Sequence, residues 1–210
     1  PYGPRHREEI IGFSKQIADF LACKNIDLLI IACNTATAAA LDSLFGKYDF
    51  PVIGVIGPGA QAASVVSKNK RIGVLATQFT TDSKVYVREI QKHDQDAVVI
   101  GQACPMFVTL VEAGHTDGPE VDKYAKEYVS VFAGTGIDTL VLGCTHYPVL
   151  IDHIKRHISP DVSIVDPAFE TVREAKSLLA GKLSDLQDTP PQYRFYTSGD
   201  PSLFEQVGSR

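Results

Sequence analysis

The chain lacks several features that mark particular classes of protein. Among its 210 residues there is no tryptophan, one methionine and four cysteines, which is unlike a small disulfide-stapled secreted scaffold. No apolar run approaches the roughly 20 residues that span a bilayer, and no signal peptide is visible, so we expect a cytoplasmic protein that does not bind membranes. The net charge is −5 and the basic residues are scattered, which predicts no binding of nucleic acid.

The sequence also lacks the common cofactor motifs. It contains no G-x-G-x-x-G, no G-x-x-x-x-G-K-[ST] and no G-x-S-x-G pattern. Residues 57–60 (Gly-Pro-Gly-Ala) follow a predicted strand, but the proline removes a backbone N–H that a phosphate cradle would need. We therefore expect no nucleotide, flavin or pyridoxal phosphate and no other cofactor.

Short apolar runs alternate with segments of helical periodicity along the whole chain. The runs are rich in Val, Ile and Leu and predict strands at 26–32, 51–56, 71–76, 96–101, 138–143, 162–165 and 193–197. Helical patterns occupy 6–23, 35–46, 58–68, 79–92, 105–113, 119–133, 147–157, 168–180 and 201–207. Strands separated by helices predict an α/β fold with mainly parallel sheets flanked by helices.

Two of these segments are versions of each other, and each leads to a cysteine. In residues 26–35 and 137–146, an Ile-Asp pair opens an apolar run, and a small residue precedes Cys33 or Cys144. The repeat predicts two pseudosymmetric domains, residues 1–56 with 166–210 and residues 57–165. Ligands bind at the carboxyl ends of strands in open α/β sheets. Two thiols there could approach one small ligand from opposite sides, which would suit a reaction at both faces of one carbon.

The residues beside the two cysteines have ordinary structural explanations as well. Asn34 and Thr35 are typical helix N-caps, and a helix N-terminus lowers a thiol's pKa and attracts carboxylates. One such turn is weak evidence, but two buried structural cysteines at matched strand ends would be a coincidence. Cys23 and Cys104, by contrast, are interpreted as small packing residues.

Three other residue types could carry chemistry. His146 follows Cys144 closely and could stabilise a thiolate, whereas His153 and His157 are interpreted as a solvated helix face. Because the sequence contains no closely spaced pair of cysteines, we expect no metal site. Glu112, judged from the residues alone, is interpreted as the end of a helix beside a glycine cap.

Three motifs together resemble the glutamate racemase family. They are Pro-Tyr-Gly-Pro-Arg at 1–5, Ala-Cys-Asn-Thr-Ala-Thr at 32–37 and Gly-Cys-Thr-His-Tyr-Pro at 143–148, and their order and spacing match the family across nearly the whole chain. Aspartate and hydantoin racemases share the plan of two thiols, but we do not expect them to carry all three motifs in this form.

The resemblance implies a cofactor-independent enzyme that interconverts L- and D-glutamate and supplies D-glutamate for peptidoglycan. It implies two α/β domains with the site between them, no metal, and often a homodimer. It assigns catalytic roles to Cys33, Cys144, His146 and Glu112. It assigns substrate binding to Tyr2, Gly3, Asn34, Thr35, Thr145 and His146.

One family feature is not found in this sequence. The family pattern has a strand and an Asp-Ser-Gly turn about forty residues before Pro-Tyr-Gly, and we expect the natural protein to include them. The alternatives are a racemase of another acidic amino acid such as aspartate, a truncated non-catalytic amino-acid-binding protein, and a redox protein with a Cys33–Cys144 disulfide.

Overall fold

The computed structural model describes residues 2, 5–183 and 190–208. The chain divides into two compact units, residues 1–179 and residues 180–210. The first unit contains the strands β1 Leu29–Ile31, β2 Val52–Gly54, β3 Arg71–Ala76, β4 Val98–Ala103, β5 Thr139–Gly143 and β6 Ser163–Val165. Its helices are α1 Arg7–Ala22, α2 Asn34–Leu44, α3 Ile56–Val66, α4 Gln78–Asp82, α5 Val85–His93, α6 Pro105–Glu112, α7 Pro119–Ser130, α8 Ile151–His157 and α9 Pro167–Leu178.

The strands form two separate parallel sheets. β1 pairs with β2, while the other four strands lie in the order β4-β3-β5-β6, and every pairing is parallel. β5 is buried at each of its five residues, as expected for a central strand covered by helices on both faces. The predicted α/β class is therefore confirmed, and the two sheets occupy the two predicted halves. The exact domain boundaries stay a prediction.

The ends of the helices follow from local sequence. His6 caps α1, and the Glu9 side chain accepts a hydrogen bond from the His6 N–H at 3.0 Å, which completes a capping box. Asp166 caps α9 by accepting from the Ala168 N–H at 3.0 Å, with Pro167 in the first turn. The predicted helix 79–92 is instead two helices, because Lys84 takes a left-handed conformation with φ of 53° between α4 and α5.

The largest core cluster lies between β5 and the helices that follow β4. Phe107 contacts Tyr128 and Tyr147 edge-to-face, each with ring centroids 5.1 Å apart. The buried thiol of Cys104 belongs to this cluster, in agreement with its interpretation as a packing residue. Cys23 does not pack in this way, because it is the exposed residue that ends α1.

The second unit contains the short helices α10 Ala180–Leu183 and α11 Pro201–Gly208. Within it the rings of Phe195 and Phe204 lie 6.3 Å apart. The strand predicted at 193–197 is wrong, since these residues form no ladder in the structure. Their apolar side chains predicted burial between neighbouring strands, but Tyr193 and Phe195 are largely exposed.

Candidate active site

The first predicted thiol begins a helix. Cys33 follows β1 and is itself the N-cap of α2, with its Sγ accepting a 3.5 Å hydrogen bond from the Ala36 N–H. The expectation that Asn34 and Thr35 serve as caps is therefore wrong, because both lie inside the first turn of α2. Their side chains remain available for other contacts.

The second thiol occupies the matching position after β5, but its surroundings differ. Cys144 is 7% exposed and is followed by a 3-10 helix, Tyr147–Leu150, that leads into α8. Burial, opposed by the backbone N–H of His146 and assisted by the charge of Cys33, raises the pKa of the Cys144 thiol to about 11. The sequence predicted a lowered pKa at a helix N-terminus, and for Cys144 burial outweighs that effect.

Glu112, His146 and Cys144 form a chain of side-chain contacts. His146 Nδ1 lies 3.6 Å from Cys144 Sγ, and its Nε2 lies 2.7 Å from Glu112 Oε1. Glu112 is the last residue of α6, where Gly114 with φ of 80° follows, so its interpretation as a helix end is correct as well. The imidazole is thus held between a carboxylate and a thiol, an arrangement that can move or stabilise a proton at sulfur.

The two residues after Cys33 contact the four-stranded half of the molecule. Asn34 Oδ1 accepts a 2.6 Å hydrogen bond from the hydroxyl of Tyr86 on α5. Thr35 Oγ1 lies 2.9 Å from Thr77 Oγ1 and 3.5 Å from Thr80 Oγ1, and all three hydroxyls are buried. The start of α2 is therefore joined to the segment after β3.

The remaining predicted substrate residues are placed less uniformly. Tyr2 packs beside Cys33, and burial together with the charge of Cys33 raises the pKa of its hydroxyl despite the opposing effect of Arg5. Thr145 is exposed, and its Oγ1 lies 3.5 Å from His146 Nδ1. Gly3 lies outside the described residues.

Sequence reasoning missed Tyr86, Thr77 and Thr80. Thr77 directly follows the carboxyl end of β3, so the rule that pointed to both cysteines could also have identified it. A tyrosine in a buried helix face must find a partner for its hydroxyl, but nothing in the local sequence indicates that Asn34 is that partner.

The histidine pair on α8 differs from its prediction. His153 is buried, 4% exposed, with Nε2 2.9 Å from Asp117 Oδ1 and Nδ1 3.3 Å from Asp122 Oδ1. It was expected on a solvated face, but these carboxylates provide hydrogen-bond partners for both of its ring nitrogens, which allows the ring to be buried. Among the described residues no cluster of three or more His, Cys, Asp or Glu side chains is arranged to hold a metal ion.

Comparison with known proteins places these features in a family. The family model described as Asp/Glu/Hydantoin racemase matches residues 1–175. The chain belongs to the Asp/Glu/hydantoin racemase family. The resemblance inferred from the three motifs is thereby confirmed, together with the prediction that the protein is a racemase.

Individual racemases are similar over the whole chain. The glutamate racemase of Oceanobacillus iheyensis is 42% identical over 209 residues, which are 99% of this chain and 76% of that protein. The crystal structure of a glutamate racemase isoform from Bacillus anthracis has a TM-score of 0.94 at 39% identity, covering 100% of this chain and 79% of the other. The Francisella tularensis glutamate racemase, solved in complex with D-glutamate, has a TM-score of 0.90 at 36% identity, covering 100% and 78%.

Another solved structure is more distant. The aspartate racemase of Picrophilus torridus has a TM-score of 0.57 at 20% identity, covering 86% of this chain and 76% of the other, which is a likeness of fold alone.

The helices of this chain were also compared with the length and hydropathy of a membrane span. Within residues 2, 5–183 and 190–208, none of them meets both requirements.

Proposed function

We propose that this racemase interconverts L- and D-glutamate by proton transfer at the α-carbon, with Cys33 and Cys144 as the two acid/base groups. The single observation that carries the proposal is the matched placement of the two thiols, Cys33 after the carboxyl end of β1 and Cys144 after the carboxyl end of β5. The similar proteins named glutamate racemase, one of them solved with D-glutamate, favour glutamate as the substrate.

Racemisation requires two acid/base groups, one of which is protonated while the other is deprotonated. One thiolate takes the α-proton and becomes a thiol, while the opposing thiol gives its proton to the other face of the carbanion and becomes a thiolate. The protein therefore keeps one thiol and one thiolate, and the two exchange roles with each turnover.

Cys144 needs help to act as a base, because burial favours its neutral form. In the proposed mechanism, His146 supplies this help through Nδ1, 3.6 Å from the sulfur, while Glu112 orients the ring through Nε2. A protonated imidazole there stabilises the thiolate, and a neutral one accepts from the thiol. His146 and Glu112 are thus proposed to assist proton transfer on the Cys144 side only.

The charged groups of the substrate require hydrogen-bonding partners beside the two thiols. We propose that Asn34 and Thr145, which each follow a thiol, bind the substrate together with Tyr2, Gly3 and the backbone N–H groups at the start of α2. Donors aimed at the α-carboxylate stabilise the negative charge that develops as the α-proton leaves. The Thr35 hydroxyl is already engaged by Thr77, so Thr35 would contribute through its backbone N–H.

The proposal extends to the protein's setting. The mechanism draws only on side chains and backbone groups of the chain itself, so we propose that it needs no cofactor, and that the product D-glutamate serves peptidoglycan synthesis in the cytoplasm. A homodimer is also expected, and light scattering coupled to size exclusion would measure it directly.

The decisive experiment follows deuterium at the α-carbon. The protein is incubated in heavy water with L-glutamate and, separately, with D-glutamate, and exchange is followed by proton NMR. We expect incorporation from both enantiomers together with appearance of the other enantiomer. Exchange with aspartate but not glutamate would replace the substrate assignment, and absence of exchange with either would overturn the proposed function.

A further inference from the structure

Tyr86 connects the two halves of the molecule at the candidate site. Its side chain is 3% exposed, and its hydroxyl donates the 2.6 Å hydrogen bond to Asn34 Oδ1. Tyr86 packs in the cluster on the four-stranded sheet with Val74 and Val141, whereas Asn34 begins α2, the helix that connects the two strands of the other sheet. This bond therefore crosses from one half to the other beside Cys33.

The ring of Tyr86 also packs against the carboxyl end of β5, directly before the other thiol. A Cβ atom added to Gly143 would lie 3.1 Å from Tyr86 Cε2 and 2.8 Å from the carbonyl oxygen of Leu75. Only glycine allows so close an approach at the residue before Cys144. A Cβ on Gly59 would lie 3.5 Å from the Tyr86 hydroxyl, so the ring is enclosed on this side as well.

The burial of the Tyr86 ring determines the hydrogen-bonding role of its hydroxyl. Burial, followed by the charges of Cys144 and Asp166, raises the pKa of Tyr86, so the hydroxyl keeps its proton as a donor. An asparagine amide carries an acceptor oxygen on one side and two N–H donors on the other. A donor fixed against Oδ1 therefore turns the Nδ2 group of Asn34 away from Tyr86.

We propose that Tyr86 is a positioning residue for racemisation, holding the Asn34 amide with its N–H donors directed toward the substrate while its ring packs against the end of β5, directly before Cys144. This inference rests on the proposed role of Asn34 in substrate binding. Tyr86 acts through Asn34 and takes no part in the proton transfer itself.

The test is a double-mutant cycle on racemisation kinetics. We expect Tyr86→Phe to lower kcat/KM for both enantiomers about tenfold, the effect of losing one fixed hydrogen bond. In the Asn34→Ala background the same change should have no further effect, because the group that Tyr86 orients is gone. An equal loss in both backgrounds would show a merely structural role and overturn the proposal.

Two further variants separate orientation from stability. Tyr128→Phe removes another buried hydroxyl, one that accepts from the Met106 N–H at 3.3 Å, and should leave kcat/KM unchanged. Asn34→Asp keeps an oxygen for Tyr86 but loses the N–H donors, so it should be as slow as Asn34→Ala. Wild-type speed in Asn34→Asp would contradict the proposal.

Thermal melting of each variant accompanies the kinetics, so that loss of folded protein is not read as loss of rate. If wild-type protein exchanges no α-proton, the proposed function itself fails. If wild-type protein is active and Tyr86→Phe is equally active, only the positioning role is overturned.

Discussion

At the scale of single residues, the two cysteines are similar in position and different in environment. Cys33 caps an α-helix and is partly exposed, while Cys144 is buried and precedes a 3-10 helix. The matched sequence segments predicted the shared position, because both end a strand with a small residue and a thiol. They could not predict the difference, which depends on how the chain packs after each thiol.

Replacing either thiol should stop racemisation. We expect Cys33→Ser and Cys144→Ser each to lose activity, because a serine hydroxyl is far too weak an acid to ionise near neutral pH and therefore supplies no base for the α-proton. With a substrate analogue that carries a leaving group, each variant should still eliminate from one enantiomer, and the two variants should prefer opposite enantiomers. Chiral chromatography measures both reactions, and full racemisation by either variant would contradict the two-base mechanism.

The raised pKa of Cys144 makes its alkylation depend strongly on pH. The rate of iodoacetamide labelling, followed by peptide mass mapping, should still climb between pH 9 and pH 10, because the thiolate fraction grows until about pH 11. The exposed Cys23 reports reagent reactivity in the same samples. In Cys33→Ser the labelling curve should shift to lower pH, since a repulsive charge is removed; a plateau below pH 9 in wild type would contradict the assignment.

The same shift affects folding stability. In the unfolded chain the Cys144 thiol has its ordinary pKa of 9.0. In the folded chain it stays neutral at pH values where it would already ionise in the unfolded chain. The folded state therefore holds more protons between the two values, and its contribution to stability is lost as the pH rises from about 9 to about 11. Below pH 9 that contribution is fully present.

At the scale of elements, most strands and helices were predicted within a few residues, and the exceptions have local causes. The break at Lys84 has no glycine or proline to mark it, so the periodic pattern of 79–92 predicted one helix. The false strand at 193–197 arose from apolar residues that are exposed in the structure. The first error comes from a backbone conformation that the residue types do not mark, and the second from judging burial by residue type.

The strained junction at Lys84 offers a test of local backbone energy. Replacing Lys84 with Gly should raise the free energy of unfolding by about 0.5–1 kcal/mol, because glycine takes a positive φ without steric cost. Asn25→Gly is the matched control, since Asn25 has the same φ of 53° but asparagine tolerates it better. Urea denaturation measures both, and a loss of stability in Lys84→Gly would show that the lysine side chain matters more.

Asp138 fixes a loop at the opposite end of β5 from Cys144. Its carboxylate accepts from Ser67 Oγ at 2.6 Å and from the N–H groups of Lys68 and Asn69 at 2.7 and 2.8 Å. Burial opposes ionisation, but these donors prevail and lower the pKa of Asp138. The repeat drew attention to this aspartate beside the thiol strands, and the structure gives it a structural task.

Removal of that charge should destabilise the fold in a pH-dependent way. We expect Asp138→Asn to lower the free energy of unfolding by about 1–3 kcal/mol at neutral pH, because the amide cannot accept from all these donors. The difference from wild type should shrink as the pH falls through the lowered pKa and the carboxylate is protonated. The exposed Asp161→Asn serves as control, and a pH-independent difference would indicate altered packing instead.

At the scale of the whole molecule, the alternation of strands and helices predicts the fold class, the repeated strand-and-thiol pattern predicts the two-sheet plan, and the three motifs carry the resemblance to the family. The contacts that join the halves do not follow from it. Thr35 with Thr77, and Asn34 with Tyr86, are long-range pairs whose members have no common local pattern. Such pairing is decided by the packing of entire sheets.

The buried hydroxyl cluster is one of these contacts, and its strength can be measured. Thr35→Val keeps the shape but removes the hydroxyl that reaches Thr77, while Thr77 and Thr80 can still bond each other at 3.1 Å. The free energy of unfolding should therefore fall by only about 1 kcal/mol. Thr109→Val, on the exposed side of α6, is the control and should change less; equal effects would deny the cluster a role in joining the halves.

The burial of Cys144 has a consequence for survival under oxidative stress. Peroxides attack thiolates, so a sulfur that stays protonated in the resting protein is a poor target for sulfenic acid formation. In the proposed mechanism, the proton that shields the sulfur from peroxide is the same proton that Cys144 delivers to the substrate.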